Sequence, residues 1–116
     1  MKLHLEWLNK ILHADPKLRK TWELRPSRRV ELGVIDLYAV GHGCIYGSVV
    51  VGGCIKLNQG LLDSNKDKHH CSKGDLAALG YVASKLYAWV LHSPNRYAHP
   101  VMHSATGQSW GKRRLV

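Results

Sequence analysis

The 116 residues have the size and composition of one globular domain, with 45% hydrophobic and 22% charged residues, which excludes a disordered chain and a second domain. Lysine and arginine number 17 against 8 acidic residues, a net charge of +9, so RNA or a nucleotide becomes the expected partner. Three cysteines without a CxxC pair argue against a disulfide framework, and no apolar run approaches the roughly 20 residues of a membrane span, so we expect a soluble, cytoplasmic protein.

The chain begins with a predicted short strand and a predicted helix. Residues 3–5 favour the strand, and the helix is predicted from apolar residues at helical spacing. These are Trp7, Leu8, Ile11 and Leu12. Pro16 cannot continue a helix and favours extended geometry in the residue before it, so the chain is expected to turn there into a strand.

Residues 20–25 are predicted to form the strand that carries the candidate site. Side chains alternate across a strand, so one face packs and the other is polar. The packed face is Trp22 and Leu24, and the polar face is Thr21, Glu23 and Arg25. Strict alternation separates Lys20 from Glu23, so these two cooperate only if Lys20 lies in the turn before the strand. The polar side chains of this strand suit hydrolysis or anion binding. The alternative is that they form a solvated surface with one ion pair.

A glycine-rich hairpin is predicted next. Residues 30–40 and 44–57 are rich in β-branched and aliphatic residues, and residues 41–43 supply the turn between them. Gly47 and the pair Gly52 and Gly53 predict a bulge or a sharp bend in the second strand. A strongly curved sheet is therefore expected.

The second half of the chain is predicted to contain a loop, a helix and further extended segments. Residues 58–74 are polar and predict a long exposed loop, and Asp75 predicts the N-cap of a helix that ends near Ser84. A strand, a turn and an extended segment follow at residues 85–91, 93–95 and 100–103. The elements together predict one α+β domain over residues 1–116, a small mixed β-barrel with flanking helices.

Two further sets of residues have side chains that suit binding. His69, His70 and Cys71 are metal-ligand types, but they lack the paired spacing and distal partner of a zinc site, so a solvated loop without metal is predicted. The first three tryptophans are predicted to be core residues. Trp110, near Gly107 and the basic tail, is a candidate platform for stacking on a base.

Six segments also match one known family in order and spacing, and together they span nearly the whole chain. They are residues 7–11, 20–25, 36–39, 45–49, 87–91 and 100–110. The segments resemble an ASCH domain, of the PUA-like superfamily. This resemblance implies a small β-barrel with flanking helices, a cleft lined by residues 20–25 and a fold associated with RNA binding.

The resemblance also implies two candidate reactions. Some small bacterial members remove the acyl group from N4-acetylcytidine with a lysine, a threonine and a glutamate, and another member is a metal-dependent ribonuclease. The lysine of the first pattern falls on Lys20 and its threonine on Glu23, with Thr21 as the nearest hydroxyl, while its glutamate comes from a later, unmatched segment. Ser104 is the closest candidate for a serine that matters in the ribonuclease-like member.

The resulting prediction is a domain that binds RNA or a nucleoside and is a candidate for hydrolysing it, with Lys20, Thr21 and Glu23 as catalytic candidates. The ligand-binding candidates are Arg25, Arg28, Arg29, Tyr46, Ser104, Gly107 and Trp110. Arg28 and Arg29 are assigned to phosphate, and Trp110 or Tyr46 to stacking. No cofactor is expected, apart from a divalent metal if the protein is a ribonuclease. An N4-acylcytidine amidohydrolase and a protein-binding domain that uses residues 58–74 are also compatible with the sequence.

Overall fold

The computed structural model describes residues 1–29 and 31–102, which form five strands and several short helices. In chain order these are β1 (Lys2–Leu3), α1 (Leu5–Ile11), β2 (Trp22–Arg25), β3 (Gly33–Ala39), β4 (Cys44–Lys56), α2 (Gln59–Ser64), α3 (Lys66–His69), α4 (Lys73–Leu79), a 3-10 turn (Ala83–Lys85) and β5 (Tyr87–Met102). The predicted first helix is present. The strand predicted for residues 3–5 is found one residue earlier, as β1, and the strand predicted for residues 20–25 begins at Trp22. None of the helices in the described ranges has the length and hydrophobicity needed to cross a bilayer.

The five strands form one mixed sheet in the order β1-β3-β4-β5-β2. β1 is parallel to β3, and the remaining pairs are antiparallel. The two edge strands approach each other, because Arg25 Nη2 on β2 donates to the carbonyl oxygen of Lys2 on β1 at 3.2 Å. The predicted α+β class is confirmed. A closed barrel is not, because the sheet of the described residues stays open between β1 and β2.

Apolar side chains fill two buried clusters. The first joins Leu8 and Ile11 of α1 to the inner faces of β3, β4 and β5. The second packs Trp22 and Leu24 of β2 against the segment that follows β4, and Trp7 touches both clusters. Burying each large aliphatic side chain contributes about 1.5–3 kcal/mol, so these clusters hold α1 and β2 against the sheet. The predicted packed face of the residue 20–25 strand is confirmed.

A long antiparallel ribbon of β4 and β5 forms the centre of the sheet. The predicted hairpin is confirmed as β3 and β4, but the predicted turn at residues 93–95 is wrong, since β5 continues through it. His92 pairs with Val50 and Asn95 pairs with Ser48, so β5 has one extra residue there. Ser93 takes a positive φ of 51°, and the extra residue is absorbed as a β-bulge.

Gly47 lies at the closest approach of the two ribbon strands. A Cβ at this position would collide with the carbonyl oxygen of Asn95 and would lie 3.1 Å from Arg96 Cα. Both obstacles are main-chain atoms of the paired strand and cannot rotate away, so the strands would have to separate. We expect Gly47→Ala to lower the free energy of unfolding by about 2–3 kcal/mol, measured by urea unfolding.

The control for this substitution is Gly53→Ala in the same strand. A Cβ at Gly53 would meet Val90 Cβ at 3.9 Å, which is an ordinary contact. The change in the free energy of unfolding is expected to stay below about 1 kcal/mol. Equal losses in the two variants would contradict a tight contact at Gly47.

The predicted exposed loop over residues 58–74 is wrong, because most of the segment is helical. It contains α2, α3 and the start of α4. The side chain of Asn58 accepts from the N–H of Leu61 at 2.8 Å and caps α2. The segment packs against β2 through Leu62, which is buried in the second cluster.

The predicted helix after residue 74 is real but has different ends. Ser72, not Asp75, is the N-cap of α4, and the two residues form a capping box in which each side chain accepts from the other's main-chain N–H. Gly80 takes a left-handed conformation with φ of 68° and ends the helix before the expected end near Ser84.

Candidate functional site

A cavity of about 290 Å³ opens between the two edge strands of the sheet. Its volume is near the lower end of the range for small-molecule sites, which suits one small ligand. The side chains that give it chemical character come from four separate parts of the chain. They are Trp7, Lys20, Glu23, Arg25, Cys71 and Tyr81. The gap that keeps the sheet open is therefore also the entrance to the candidate site.

Lys20 forms the buried floor of the cavity and is only 1% exposed. It lies just before β2, where its main-chain N–H donates to the carbonyl oxygen of Lys10 at 2.9 Å. Its Nζ donates to the carbonyl oxygen of His69, lies 3.7 Å from Glu23 Oε1 and stands 5.1 Å from the centre of the Trp7 ring. Burial lowers the pKa of Lys20 from its usual value, and the Glu23 carboxylate partly opposes this shift.

Glu23 lies between two cations. It is 8% exposed, and while Oε1 faces Lys20, Oε2 accepts from Arg25 Nε at 2.9 Å. The guanidinium of Arg25 is held on two more sides, by its bond to the Lys2 carbonyl and by the Trp89 ring at 5.5 Å. Two cations and one anion leave this network with a net positive charge. Because β2 begins at Trp22, Lys20 lies before the regular strand. This is the position that the sequence required of Lys20 if it was to meet Glu23.

His69 supports the floor of the cavity, and the prediction of a solvated loop at residues 69–71 is wrong. His69 is 2% exposed, and its Nδ1 accepts from the main-chain N–H of Cys71 at 2.9 Å. The ring proton therefore sits on Nε2, which donates to the Leu62 carbonyl at 2.7 Å. Burial lowers the pKa of His69, which keeps the ring neutral. The two ring contacts fix the position of His69, and its main-chain carbonyl oxygen accepts a hydrogen bond from Lys20 Nζ.

Cys71 also lines the cavity, as a buried and uncharged thiol. Burial raises the pKa of this thiol, so the protonated form is favoured. Across residues 1–29 and 31–102, no three His, Cys, Asp or Glu side chains lie together in a group that could hold a metal ion.

Two aromatic residues complete the walls: Tyr81, which the sequence did not point to, and Trp7, which was predicted to be a core residue but is only partly buried. Tyr81 follows the C-terminal end of α4, where its main-chain N–H donates to the Leu76 carbonyl at 2.9 Å. Burial raises the pKa of the Tyr81 phenol, so it remains a hydrogen-bond donor at neutral pH. Trp7 lies on the opposite element, α1, with Lys10 Nζ 4.5 Å from the centre of its ring. Apart from helical spacing, the sequence carries no signal that these two rings line one cavity.

Two of the predicted catalytic residues reach the cavity and the third does not. Lys20 and Glu23 line it, whereas Thr21 is absent from its lining. The Thr21 main chain is used in packing, since its N–H donates to the Lys68 carbonyl and its own carbonyl accepts from Leu91. The prediction that Thr21 shares the face of Glu23 is wrong, because β2 begins at Trp22 and its alternation does not extend back to Thr21.

Of the predicted ligand-binding residues, Arg25 lines the cavity. Arg28 is exposed on the surface outside it, and Arg29 is buried with its guanidinium 5.3 Å from the centre of the Trp89 ring. Tyr46 is on the hairpin, where its hydroxyl lies 2.9 Å from His42 Nδ1. The remaining three, Ser104, Gly107 and Trp110, lie outside the described residues. The structure therefore brings Lys20, Glu23 and Arg25 together.

No family model matches the chain, and no curated protein matches it. The chemistry of the cavity is therefore the basis for a functional conclusion.

Proposed function

We propose that the protein is an ASCH-type domain of PUA-like fold that binds one unpaired nucleoside unit, free or within an RNA strand, in the cavity between β1 and β2. The observation that carries this proposal is the buried Lys20–Glu23–Arg25 network at the floor of a cavity of about 290 Å³. A site of this volume suits a nucleoside unit better than a length of polymer.

The residues around the cavity offer the contacts that a nucleobase requires. Glu23 has acceptor capacity left on both carboxylate oxygens and can accept from an exocyclic amine. Trp7 and Tyr81 present aromatic rings on which a base can stack. The net charge of +9 attracts the phosphates of a nucleotide or of RNA. Bases with an exocyclic amine at the Watson–Crick edge, such as cytosine and adenine, suit this arrangement best.

Titration calorimetry with cytidine, adenosine and a short single-stranded RNA tests the proposal. We expect saturable binding of at least one nucleoside, and RNA affinity that falls steeply with salt because basic residues displace counterions from the phosphates. A duplex of the same sequence should bind more weakly, since pairing hides the base edge. Binding of RNA without salt dependence would contradict the polymer form of the proposal, and failure of all three ligands would contradict the proposal itself.

A second candidate function is hydrolysis of the bound nucleoside or RNA. It is favoured by Lys20, whose pKa is lowered by burial and whose Nζ lies 3.7 Å from a carboxylate, an arrangement suited to moving a proton. In an amide hydrolysis the neutral amine of Lys20 would take a proton from the water that attacks the acyl carbon, and Arg25 would hold the oxygen on which negative charge develops. Lys20 would then return the proton to the leaving amine as the C–N bond breaks.

Incubation with N4-acetylcytidine and, separately, with labelled RNA in the presence and absence of a chelator distinguishes the two reactions. Release of acetate from the first substrate supports an amidohydrolase, and chelator-sensitive cleavage of the second supports a metal-dependent ribonuclease. If neither substrate is consumed, both proposed reactions are contradicted and the binding proposal stands without them.

A further inference from the structure

We infer that the ligand of the cavity carries a phosphate, which Lys2, His4 and Arg25 hold at the mouth while the base occupies the interior. This inference rests on the proposed function and extends it from a nucleoside to a nucleotide with a defined orientation. It is drawn from the way charge and exposure change between the interior and the mouth.

The interior of the cavity is electrically balanced. Lys20 is buried, and the acid that faces it, Glu23, is almost as well covered. Cys71 and Leu24, which complete this end, are also buried and carry no charge at neutral pH. An anionic group in the interior would have to lose its water without an unpaired cation to receive it, which is unfavourable. The interior therefore suits the uncharged base.

The mouth of the cavity has an excess of positive charge. Lys2 and His4 line it and are exposed, and the side chain of Arg25 is 22% exposed. Among the described residues that line the cavity, Glu23 is the single acid, and its two oxygens already face Lys20 and Arg25. The charge of Lys2 is therefore not balanced by an acid of this lining, and an anion is favoured beside it.

The guanidinium of Arg25 is held beside the main chain of Lys2, across the gap between the edge strands. Arg25 Nη2 donates to the Lys2 carbonyl at 3.2 Å, so the guanidinium of β2 is anchored to the main chain of β1. The Nε group is used on Glu23, which leaves Nη1 and the open side of the guanidinium for a ligand. A phosphate has the charge and the number of acceptor oxygens to bridge a lysine and an arginine in this position.

The apolar part of the mouth supports the same orientation. Val40 and Leu79 are both exposed and line the cavity. They offer carbon surface beside the cations, against which the ribose between base and phosphate can pack. In a nucleotide bound with its base inward, the uncharged base occupies the interior, the ribose packs on the carbon surface and the phosphate faces the cations at the mouth.

Calorimetry at fixed ionic strength tests the phosphate site with cytidine, adenosine, their 5′-monophosphates, ribose 5-phosphate and inorganic phosphate. We expect each monophosphate that binds to do so at least about tenfold more tightly than its nucleoside, because a charge-assisted phosphate contact is added. Ribose 5-phosphate and inorganic phosphate are expected to compete weakly. Equal affinities for nucleoside and monophosphate would overturn the phosphate site and leave the proposed function intact, whereas no binding of any nucleoside or nucleotide would overturn both.

Two lysine variants locate the phosphate. Lys2→Gln is expected to reduce the preference for the monophosphate by about threefold or more. Lys85→Gln makes the same charge change at an exposed lysine that does not line the cavity, and the preference should be unchanged. An equal reduction in both variants would show that general attraction to the basic protein accounts for the effect, and the site at the mouth would be wrong.

Discussion

Lys20→Met is expected to lower the free energy of unfolding by about 3–5 kcal/mol, because it removes one partner of a buried ion pair. Methionine fills similar space, but the His69 carbonyl and the Glu23 carboxylate each lose the cation that faces them. Urea unfolding followed by tryptophan fluorescence measures the loss. Lys17→Met, at an exposed lysine three positions earlier, is the matched control and should change stability by less than about 0.5 kcal/mol.

The same variant should change how stability depends on pH. Burial lowers the pKa of Lys20 in the folded protein, whereas the unfolded chain has a lysine pKa of about 10.4. Between these two values the unfolded state binds more protons, so the stability of the native protein rises with pH across that interval. Lys20→Met should lose this rise. Parallel profiles for the two proteins would show that Lys20 is not desolvated as the structure indicates.

Glu23→Gln is expected to weaken nucleoside binding by at least about 30-fold, since it replaces the charged acceptor for the exocyclic amine with a neutral amide and leaves two adjacent cations without a counter-charge. The free energy of unfolding should fall by about 3 kcal/mol, because the two cations lose their counter-charge. Calorimetry and urea unfolding measure the two effects. Glu6→Gln, which removes a 71% exposed carboxylate paired with Lys10, is the control and should cost less than about 1 kcal/mol.

Combining the two substitutions separates the pair from its surroundings. Lys20→Met with Glu23→Gln is expected to be less destabilised than the sum of the single variants by about 1–3 kcal/mol, because the second change removes a charge that the first left unpaired. Strict additivity would mean that the 3.7 Å approach of the two groups contributes nothing to stability.

The parts of the fold that could be predicted are those set by neighbours along the chain. Alternation in residues 20–25 placed Trp22 and Leu24 in the core and turned Glu23 toward the site, and both are observed. The glycines at residues 41–43 indicated the hairpin, since a tight turn needs their backbone freedom.

Two errors have different physical origins. The segment of residues 58–74 was predicted to be a loop from its polar composition, although Asn58 and the pair Ser72 and Asp75 are local capping signals for the helices that it forms. No local sequence signal indicated that β5 continues through Ser93. This continuation depends on the pairing with β4, which absorbs the extra residue as a bulge.

By itself the sequence determined a basic α+β domain with a polar strand preceded by Lys20, because composition and alternation act locally. Only the tertiary structure decided that this strand borders a cavity, since the two edge strands must meet across the open sheet, where Arg25 contacts Lys2. It also decided that the His69 carbonyl holds Lys20 from 49 positions away and that Tyr81 faces the same space. Contacts between distant segments depend on how the whole chain packs, and no pattern along a single element encodes them.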